Sequence, residues 1–396
     1  MFEPFPHKYV WNLSVNLALS VGGHIGEIDK ACRPLLNEGN DADEDAQTQM
    51  FFESWCELAE TLVELANEDE AAGRPRSAGA KLARATAYYQ TAERMQARTF
   101  APRRAAYAAS LASFDRHLEL TRSPAQKVEV PFGAESLPGI LIRPPATARR
   151  TPCVIFWNGL DSTKEQIFGT GVAQELLARG IGSLIVDTPG SGEALRLRNL
   201  TASVATESWA TACVDFLEDQ PDIDPQLIGL VAWSLGGYYG PRATAFEPRL
   251  SFGVAWGSNY DWGQVQQQRL ANQGDRPVPH YWDHVQWVWG CDNLDDFIEL
   301  SESINLRGVA DKISVPYLVV HGEHDRQIDV GYAHQLYADL TSSPAPALKI
   351  FGDREGGVEH CSVDNMLVVR DYICDWIDLT LASLEDTAHP SRQGVA

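Results

Sequence analysis

The run Leu227-Ile228-Gly229-Leu230-Val231-Ala232-Trp233 has the length and apolar content of a strand buried on both faces, and it stops at Ser234. Residues 235–246 then read as a helix that opens with Leu235, Gly236 and Gly237. Strand, serine, helix is the layout of a nucleophile elbow, usually written G-x-S-x-G. The turn is sharp enough to force the serine into strained backbone angles, so the residues two before and two after it must be small. Gly236 meets that demand, and Ala232 meets it with one methyl group more than glycine. The competing reading is a loop serine beside an ordinary glycine turn, and the rest of the chain separates the two.

From Lys127 onward short apolar runs alternate with amphipathic ones. Residues 128–131 and 139–143 read as a hairpin followed by a Pro-rich turn. Strands are then expected at 153–157, 182–187, 227–233, 252–256, 317–321 and 348–351. Helices are expected at 164–179, 204–218, 235–246, 330–340 and 362–384. Such alternation predicts a mostly parallel sheet with helices on both faces. Ligands in such sheets sit beyond the carboxyl ends of the strands, and Ser234 falls at that edge.

Upstream, the periodicity is helical at 44–67, 77–99 and 101–120, with Ser77 as a plausible N-cap after the Gly73-Arg74-Pro75-Arg76 break and an acidic loop at 37–45. A chain of 396 residues exceeds a typical single domain. The expected division is a helical N-terminal cap domain at 1–125 and a catalytic domain at 126–396, with a lid-like insertion at about 261–312.

The formal net charge of −22 disfavours nucleic acid and anionic membrane surfaces as partners. No uncharged run approaches the ~18 residues a membrane span needs. The seven cysteines are scattered without C-x-x-C spacing, as expected of reduced thiols in an intracellular compartment rather than a zinc site. Two sequons, at Asn12 and Asn199, come with no export signal. The expectation is a cytoplasmic protein that uses no metal or cofactor. The segment Asp187-Thr188-Pro189-Gly190-Ser191-Gly192-Glu193 lacks the Lys-Ser/Thr ending of a phosphate loop and reads as a turn.

A serine hydroxyl needs a base to become nucleophilic, and the base needs an acid to orient it. Behind an elbow the order is Ser, then Asp or Glu, then His, each on a loop after a strand. Asp325, in Val319-Val320-His321-Gly322-Glu323-His324-Asp325, fills the acid position, with Glu323 and Asp329 as competitors. His360, in Gly356-Gly357-Val358-Glu359-His360, lies between the last strand and the last helix, where the base belongs. The oxyanion that forms during attack needs donors. One is expected from the amide of Leu235, and the second from Gly159 or Leu160 in the loop after strand 153–157.

These residues carry a resemblance. The segments Asn158-Gly159-Leu160-Asp161-Ser162-Thr163-Lys164-Glu165, Ser234-Leu235-Gly236-Gly237-Tyr238-Tyr239 and Phe246-Glu247-Pro248-Arg249-Leu250 take part in it, as do the run 280–290 and Gly356-Gly357-Val358-Glu359-His360. The chain resembles α/β-hydrolases with a helical N-terminal cap, among them dihydroxypseudooxynicotine hydrolase and, more closely, the fungal yellowish-green pigment hydrolases that shorten polyketides. The resemblance places nucleophile, acid and base on Ser234, Asp325 and His360. It implies retro-Claisen hydrolysis of a carbon–carbon bond in a β-dicarbonyl, polyketide-like substrate of secondary metabolism. The nicotine-pathway enzyme has an additional active-site glutamate where this chain offers only Asp261.

The pocket is expected between the helical region and the carboxyl edge of the sheet. The residues expected to contact substrate are Trp233 and Tyr238 beside the serine, Asp261, and Trp282 and Trp287 of the aromatic insertion. Packing within a lid is the alternative role for those aromatics. Helix-rich caps commonly mediate dimers, so a homodimer is the corresponding expectation. The same three residues also serve an esterase, a thioesterase or an acyltransferase, and a variant mechanism has His360 activate water directly. A ligand-binding protein without catalysis is the remaining reading.

Overall fold

The structure is a computed structural model that describes residues 1–36, 44–145, 149–272 and 279–388. The acidic loop expected at 37–45 falls almost entirely outside the described residues, as does 273–278 of the insertion. Among the described residues five α-helices precede the sheet: α1 (Tyr9–Ser20), α2 (Ile25–Cys32), α3 (Glu44–Ala71), α4 (Pro75–Glu93) and α5 (Ala101–Thr121). Helix α4 opens at Pro75, not at a Ser77 cap. Proline suits the first helical position because its missing N–H would have no partner there. It also ends at Glu93, short of the expected 99, and the chain runs through turns before α5 opens at Ala101.

Eight strands form one sheet in the order β1-β2-β4-β3-β5-β6-β7-β8. They are β1 (Gln126–Phe132), β2 (Glu135–Ile142), β3 (Thr151–Trp157), β4 (Gly182–Val186), β5 (Ile223–Trp233), β6 (Phe252–Trp256), β7 (Tyr317–Gly322) and β8 (Pro346–Phe351). β1 and β2 are antiparallel to their neighbours, and all other pairs are parallel. The crossovers carry α6 (Lys164–Gly169), α7 (Val172–Ala178), α8 (Gly192–Arg196), α9 (Glu207–Glu218) and α10 (Gly236–Phe246). Between β6 and β7 come α11 (Trp262–Ala271), α12 (Tyr281–Trp289) and α13 (Leu294–Ser301); α14 (Gly331–Asp339) and α15 (Met366–Ala388) complete the chain. The single helix expected at 164–179 is two, because Gly171 between them adopts φ +78.

Side chains alternate across the sheet with a period of two, and both faces are buried. On β5, Ile228, Leu230 and Ala232 face α9 and α10, whereas Leu227, Val231 and Trp233 face α6, α7 and α15. Leu13 of α1 and Phe114 of α5 join the second of these cores. The remaining N-terminal helices pack around their own core of Phe51, Trp55, Tyr88 and neighbours.

Charge also ties the helical region to the sheet. Glu93 at the end of α4 takes Arg103 of α5 at 2.7 Å and Arg196 of α8 at 2.6 Å, all buried. Removing one partner from such a buried set costs about 3–5 kcal/mol, because it strands the other charge. Among the described residues no helix is long and apolar enough to cross a membrane.

The tightest packing lies where α10 starts beneath the loop after β6. A Cβ on Gly237 would stand 1.7 Å from the Gly257 carbonyl oxygen, which belongs to backbone that cannot turn aside. Gly237→Ala is expected to lose roughly 3 kcal/mol or more in urea unfolding, or not to accumulate folded. Gly133→Asn, in a hairpin turn with open space around it, is expected to cost less than about 1 kcal/mol.

Candidate active site

Ser234 sits between β5 and α10 with φ +59, in the left-handed region that an L-residue enters only at a cost. Its surroundings hold it there. Its N–H donates to the Trp256 carbonyl at 2.9 Å, and its own carbonyl accepts from Gly237 N–H at 2.8 Å and Asn259 Nδ2 at 2.7 Å. The Ala232 methyl fits because Gly236 and Gly240 leave room for it. Side chains at those positions would stand 2.9 and 3.0 Å from it.

The loops after β7 and β8 bring the acid and base to this serine. Ser234 Oγ lies 2.9 Å from His360 Nε2, and His360 Nδ1 lies 2.8 Å from Asp325 Oδ2. A carboxylate can only accept, so Nδ1 carries a proton and the neutral ring leaves Nε2 free to accept from the serine. Asp325 Oδ1 accepts the Gln327 and Ile328 amides at 2.7 and 3.0 Å. Burial alone would raise Asp325, but the facing imidazole and these donors hold its carboxyl below the ordinary carboxylate range. Burial alone would lower His360, yet the Asp325 charge holds the imidazole well above its usual value.

The neighbours of this pair have structural parts to play. His321, 3.5 Å from Asp325 Oδ2, accepts the Ser258 amide on Nδ1, so its Nε2 carries the proton and faces the Ile328 carbonyl at 3.0 Å. Asp364 gathers the amides of Gly357, Val358 and Glu359 at 2.8 to 3.1 Å and so shapes the loop that presents His360. Of the competing acids, both Glu323 and Asp329 are exposed and neither touches the histidine.

The loop after β3 approaches Ser234 so closely that a Cβ on Gly159 would meet Ser234 Cβ at 2.6 Å and Leu235 N at 3.1 Å. The Gly159 amide, one of the two candidates for the second oxyanion donor, is already committed: it donates to Ser162 Oγ at 3.0 Å. Ser162 Oγ also accepts from Trp233 Nε1 at 2.9 Å. The amides of Leu160 and Leu235 meet no protein acceptor among the described residues, and both residues line the cleft in front of the serine. The whole loop is anchored by Asp187, whose Oδ1 accepts from Asn158 Nδ2 at 2.6 Å and from Lys164 N at 2.7 Å.

A narrow cleft opens in front of Ser234 and His360. Its walls include Leu13 and Arg94 from the N-terminal helices, Trp262, Val265 and Arg269 from α11, Tyr281 from α12, and Gln327. None of the five side chains expected to contact substrate lines it. Trp233 points to the opposite core by strand alternation and stacks edge-on against Trp256 at 5.9 Å. Tyr238 is fully buried and donates to the Val204 carbonyl at 3.1 Å. Asp261 caps α11 by accepting the Gln264 amide at 3.0 Å and pairs with Arg307. Trp282 packs on Tyr281 and Phe297, and Trp287 lines a separate cavity instead.

Two cleft residues carry charge. Arg94 is paired with Asp161 at 2.7 Å; burial alone would raise Asp161, but Arg94 holds it down at about 2. Arg269 has no carboxylate partner among the described residues: it donates to Tyr281 Oη at 2.6 Å and Gln327 Oε1 at 3.1 Å. Sequence reading missed both arginines, since neither lies near a motif. Among the described residues no group of three or more His, Cys, Asp or Glu side chains is placed to hold a metal ion.

Because Gly159 fits only without a side chain, Gly159→Ala is expected to displace Ser234 or block the Leu235 amide. Turnover of any substrate the parent accepts should fall about 10²–10³-fold. The urea midpoint should show a loss within the ~1–3 kcal/mol of local overpacking.

The prolyl oligopeptidase family model matches residues 172–362. The chain is 26% identical over 346 residues to 2,6-dihydropseudooxynicotine hydrolase of Paenarthrobacter nicotinovorans, covering 87% of this chain and 88% of the relative. It is 26% identical over 381 residues to 20-hydroxy-prefusarin hydrolase FUS2 of Gibberella moniliformis, covering 86% and 90%. The crystal structure of 2,6-dihydroxy-pseudo-oxynicotine hydrolase superposes with a TM-score of 0.74 at 24% identity, over 93% of this chain and 96% of that one. Sheet order, elbow and relatives agree: the chain is a hydrolase of the α/β-hydrolase fold with a helical N-terminal region, similar to pseudooxynicotine and fungal hydrolases.

Proposed function

We propose that the protein is a serine-dependent hydrolase that cleaves a carbon–carbon bond in a β-dicarbonyl, polyketide-like substrate. The observation that carries the proposal is the unbroken relay from Ser234 Oγ through His360 to Asp325, at 2.9 and 2.8 Å. The resemblance to hydrolases named for pseudooxynicotine and prefusarin substrates supports the substrate class.

In this reading His360 takes the Ser234 proton as the oxygen attacks a ketone carbonyl, and Asp325 steadies the imidazolium. The developing oxyanion is held by the Leu235 and Leu160 amides, which meet no protein acceptor among the described residues. Collapse breaks the bond to the neighbouring carbon and expels an enolate, whose charge is spread over the second carbonyl. Protonated His360 returns the proton to that carbon, and water then releases the acyl group from Ser234 as a carboxylic acid. Arg269, without a carboxylate partner among the described residues, presents to the cleft a cation that favours the anionic enolate. Polyketide chain shortening is the process such a reaction serves, and the pocket on this reading takes a small molecule.

Ser234→Ala and His360→Ala are expected to lower kcat by about 10⁴-fold or more, and Asp325→Asn by a comparable or smaller factor. Near-normal turnover in either of the first two variants would overturn the assignment. The base must be neutral to accept the serine proton, so activity is lost as pH falls through the raised His360 pKa. Removing the Asp325 charge takes away what raises it, so the acid limb of the kcat/KM profile in Asp325→Asn should move to lower pH. Turnover of a methyl β-diketone compared with a simple aryl ester separates carbon–carbon cleavage from an esterase. A mass increment on intact protein that is absent in Ser234→Ala separates the acyl-enzyme route from direct attack by water.

A further inference from the structure

The chain has a second, solvent-open cavity between α4, α5, α8 and α12. We infer that this cavity is a separate binding site for a small-molecule anion, one bearing a carboxylate or phosphate group. Four arginines line it, Arg98, Arg103, Arg104 and Arg196, against a single carboxylate, Glu93. In a chain whose formal net charge is −22, that local excess of cations is opposite in sign to the rest of the molecule.

The balance of bonds makes the case. Glu93 is shared by two guanidinium groups, Arg103 at 2.7 Å and Arg196 at 2.6 Å. One carboxylate therefore neutralises only one of two buried cations. Arg103 also donates to the Gln96 carbonyl at 2.5 Å, and Arg196 to the Asp161 carbonyl at 3.2 Å. Even so, Arg103 Nη2, Arg196 Nη1 and the Tyr107 hydroxyl are buried with no hydrogen-bond partner. These two arginines are 4% and 9% exposed, so the bulk solvent that would normally satisfy such donors is largely excluded. An oxyanion in the cavity supplies the missing negative charge, and a rotation of either guanidinium turns an unpaired Nη toward its lone pairs.

The rim suits the same ligand. Arg104 is exposed and has no carboxylate partner among the described residues, while Arg98 is shared with Asp283 at 3.3 Å. The Trp287 ring, with the Arg103 guanidinium 5.2 Å from its centroid, offers a flat apolar surface to the remainder of the ligand. His284, stacked 6.1 Å from Trp287, adds no charge, because burial and the adjacent Arg103 push its imidazole down to about 4. The site backs onto the Ser234 cleft but is distinct from it, the dividing residue being Asp161: its carbonyl bonds Arg196 and its carboxylate bonds Arg94.

Isothermal titration of the full chain with inorganic phosphate and, separately, with benzoate tests the site. One of the two is expected to bind one-to-one with Kd below about 1 mM, equally in Ser234→Ala, because the serine cleft takes no part. Tighter phosphate points to a phosphorylated ligand, and tighter benzoate to an aromatic acid. Arg104→Gln, an exposed change that leaves the buried set intact, should weaken binding by about fivefold or more, and Arg103→Gln should abolish it. Circular dichroism establishes that each variant is folded, and Arg104→Gln alone decides the matter if Arg103→Gln is not. Absence of heat at about 10 mM of both probes, or binding unchanged in folded Arg104→Gln, would overturn the inference.

Discussion

Three stretches of backbone meet at Ser234 with no room for side chains between them, and the site depends on that exclusion. The turn from β5 to α10, the loop after β3 and the loop after β6 approach so closely that side chains at Gly159 and Gly237 would fall 2.6 Å and 1.7 Å from their neighbours. Only because these backbones touch can two amides, those of Leu235 and Leu160, face the same cleft as the serine. The left-handed φ of Ser234 costs about 1–2 kcal/mol. Hydrogen bonds at both its amide and its carbonyl hold the residue in that conformation. Strain at the nucleophile and convergence of the amides are thus two results of one steric fact.

Buried charge fixes the loops that steric exclusion alone would leave free. Lys164, 1% exposed, sits among Asp187, Glu165 and Glu193 at 2.8 to 3.1 Å. Burial by itself would lower the ammonium, but the three carboxylates hold it well above its usual range. Asp187 reaches from the end of β4 to both ends of the Asn158–Lys164 loop, so the segment that carries Leu160 is pinned to the sheet. A set of this kind contributes less net stability than its short distances suggest, because each ion gave up its hydration. What it contributes is a single position for the loop.

The succession of strands along the chain and the three residues of the relay were legible in the sequence because each is a local signal. An apolar run ending at a serine, an acid just past a strand and a histidine before the last helix each appear within a few residues. The cleft walls were not legible, because Leu13, Arg94, Arg269 and Gln327 come together only through topology. The aromatic residues misled for a physical reason. Trp233 and Tyr238 adjoin the serine in sequence, yet a strand turns alternate residues to opposite faces and a helix turns them by 100°. Trp233 therefore belongs to the core behind the sheet, where it steadies Ser162 and through it the Gly159 amide. Asp261, expected to contact substrate, instead caps α11 and pairs with Arg307, which is distant in sequence.

The cleft that results differs in character from a flat aromatic slot. Its aromatic surface comes from Trp262 and Tyr281, and it sets beside them Arg94, Arg269 and Asp161. Arg94 is neutralised by Asp161, whereas Arg269 has no carboxylate partner among the described residues and donates to the Tyr281 phenol and to Gln327. Stacking holds a planar substrate about equally before and after bond cleavage, so it adds little to the rate. A fixed cation interacts more strongly as negative charge develops, so it lowers the barrier. On the proposed reading, a cation beside Ser234 without a carboxylate partner among the described residues is placed to stabilise a departing enolate. That cation comes from α11 in the insertion after β6, not from the sheet that holds the relay.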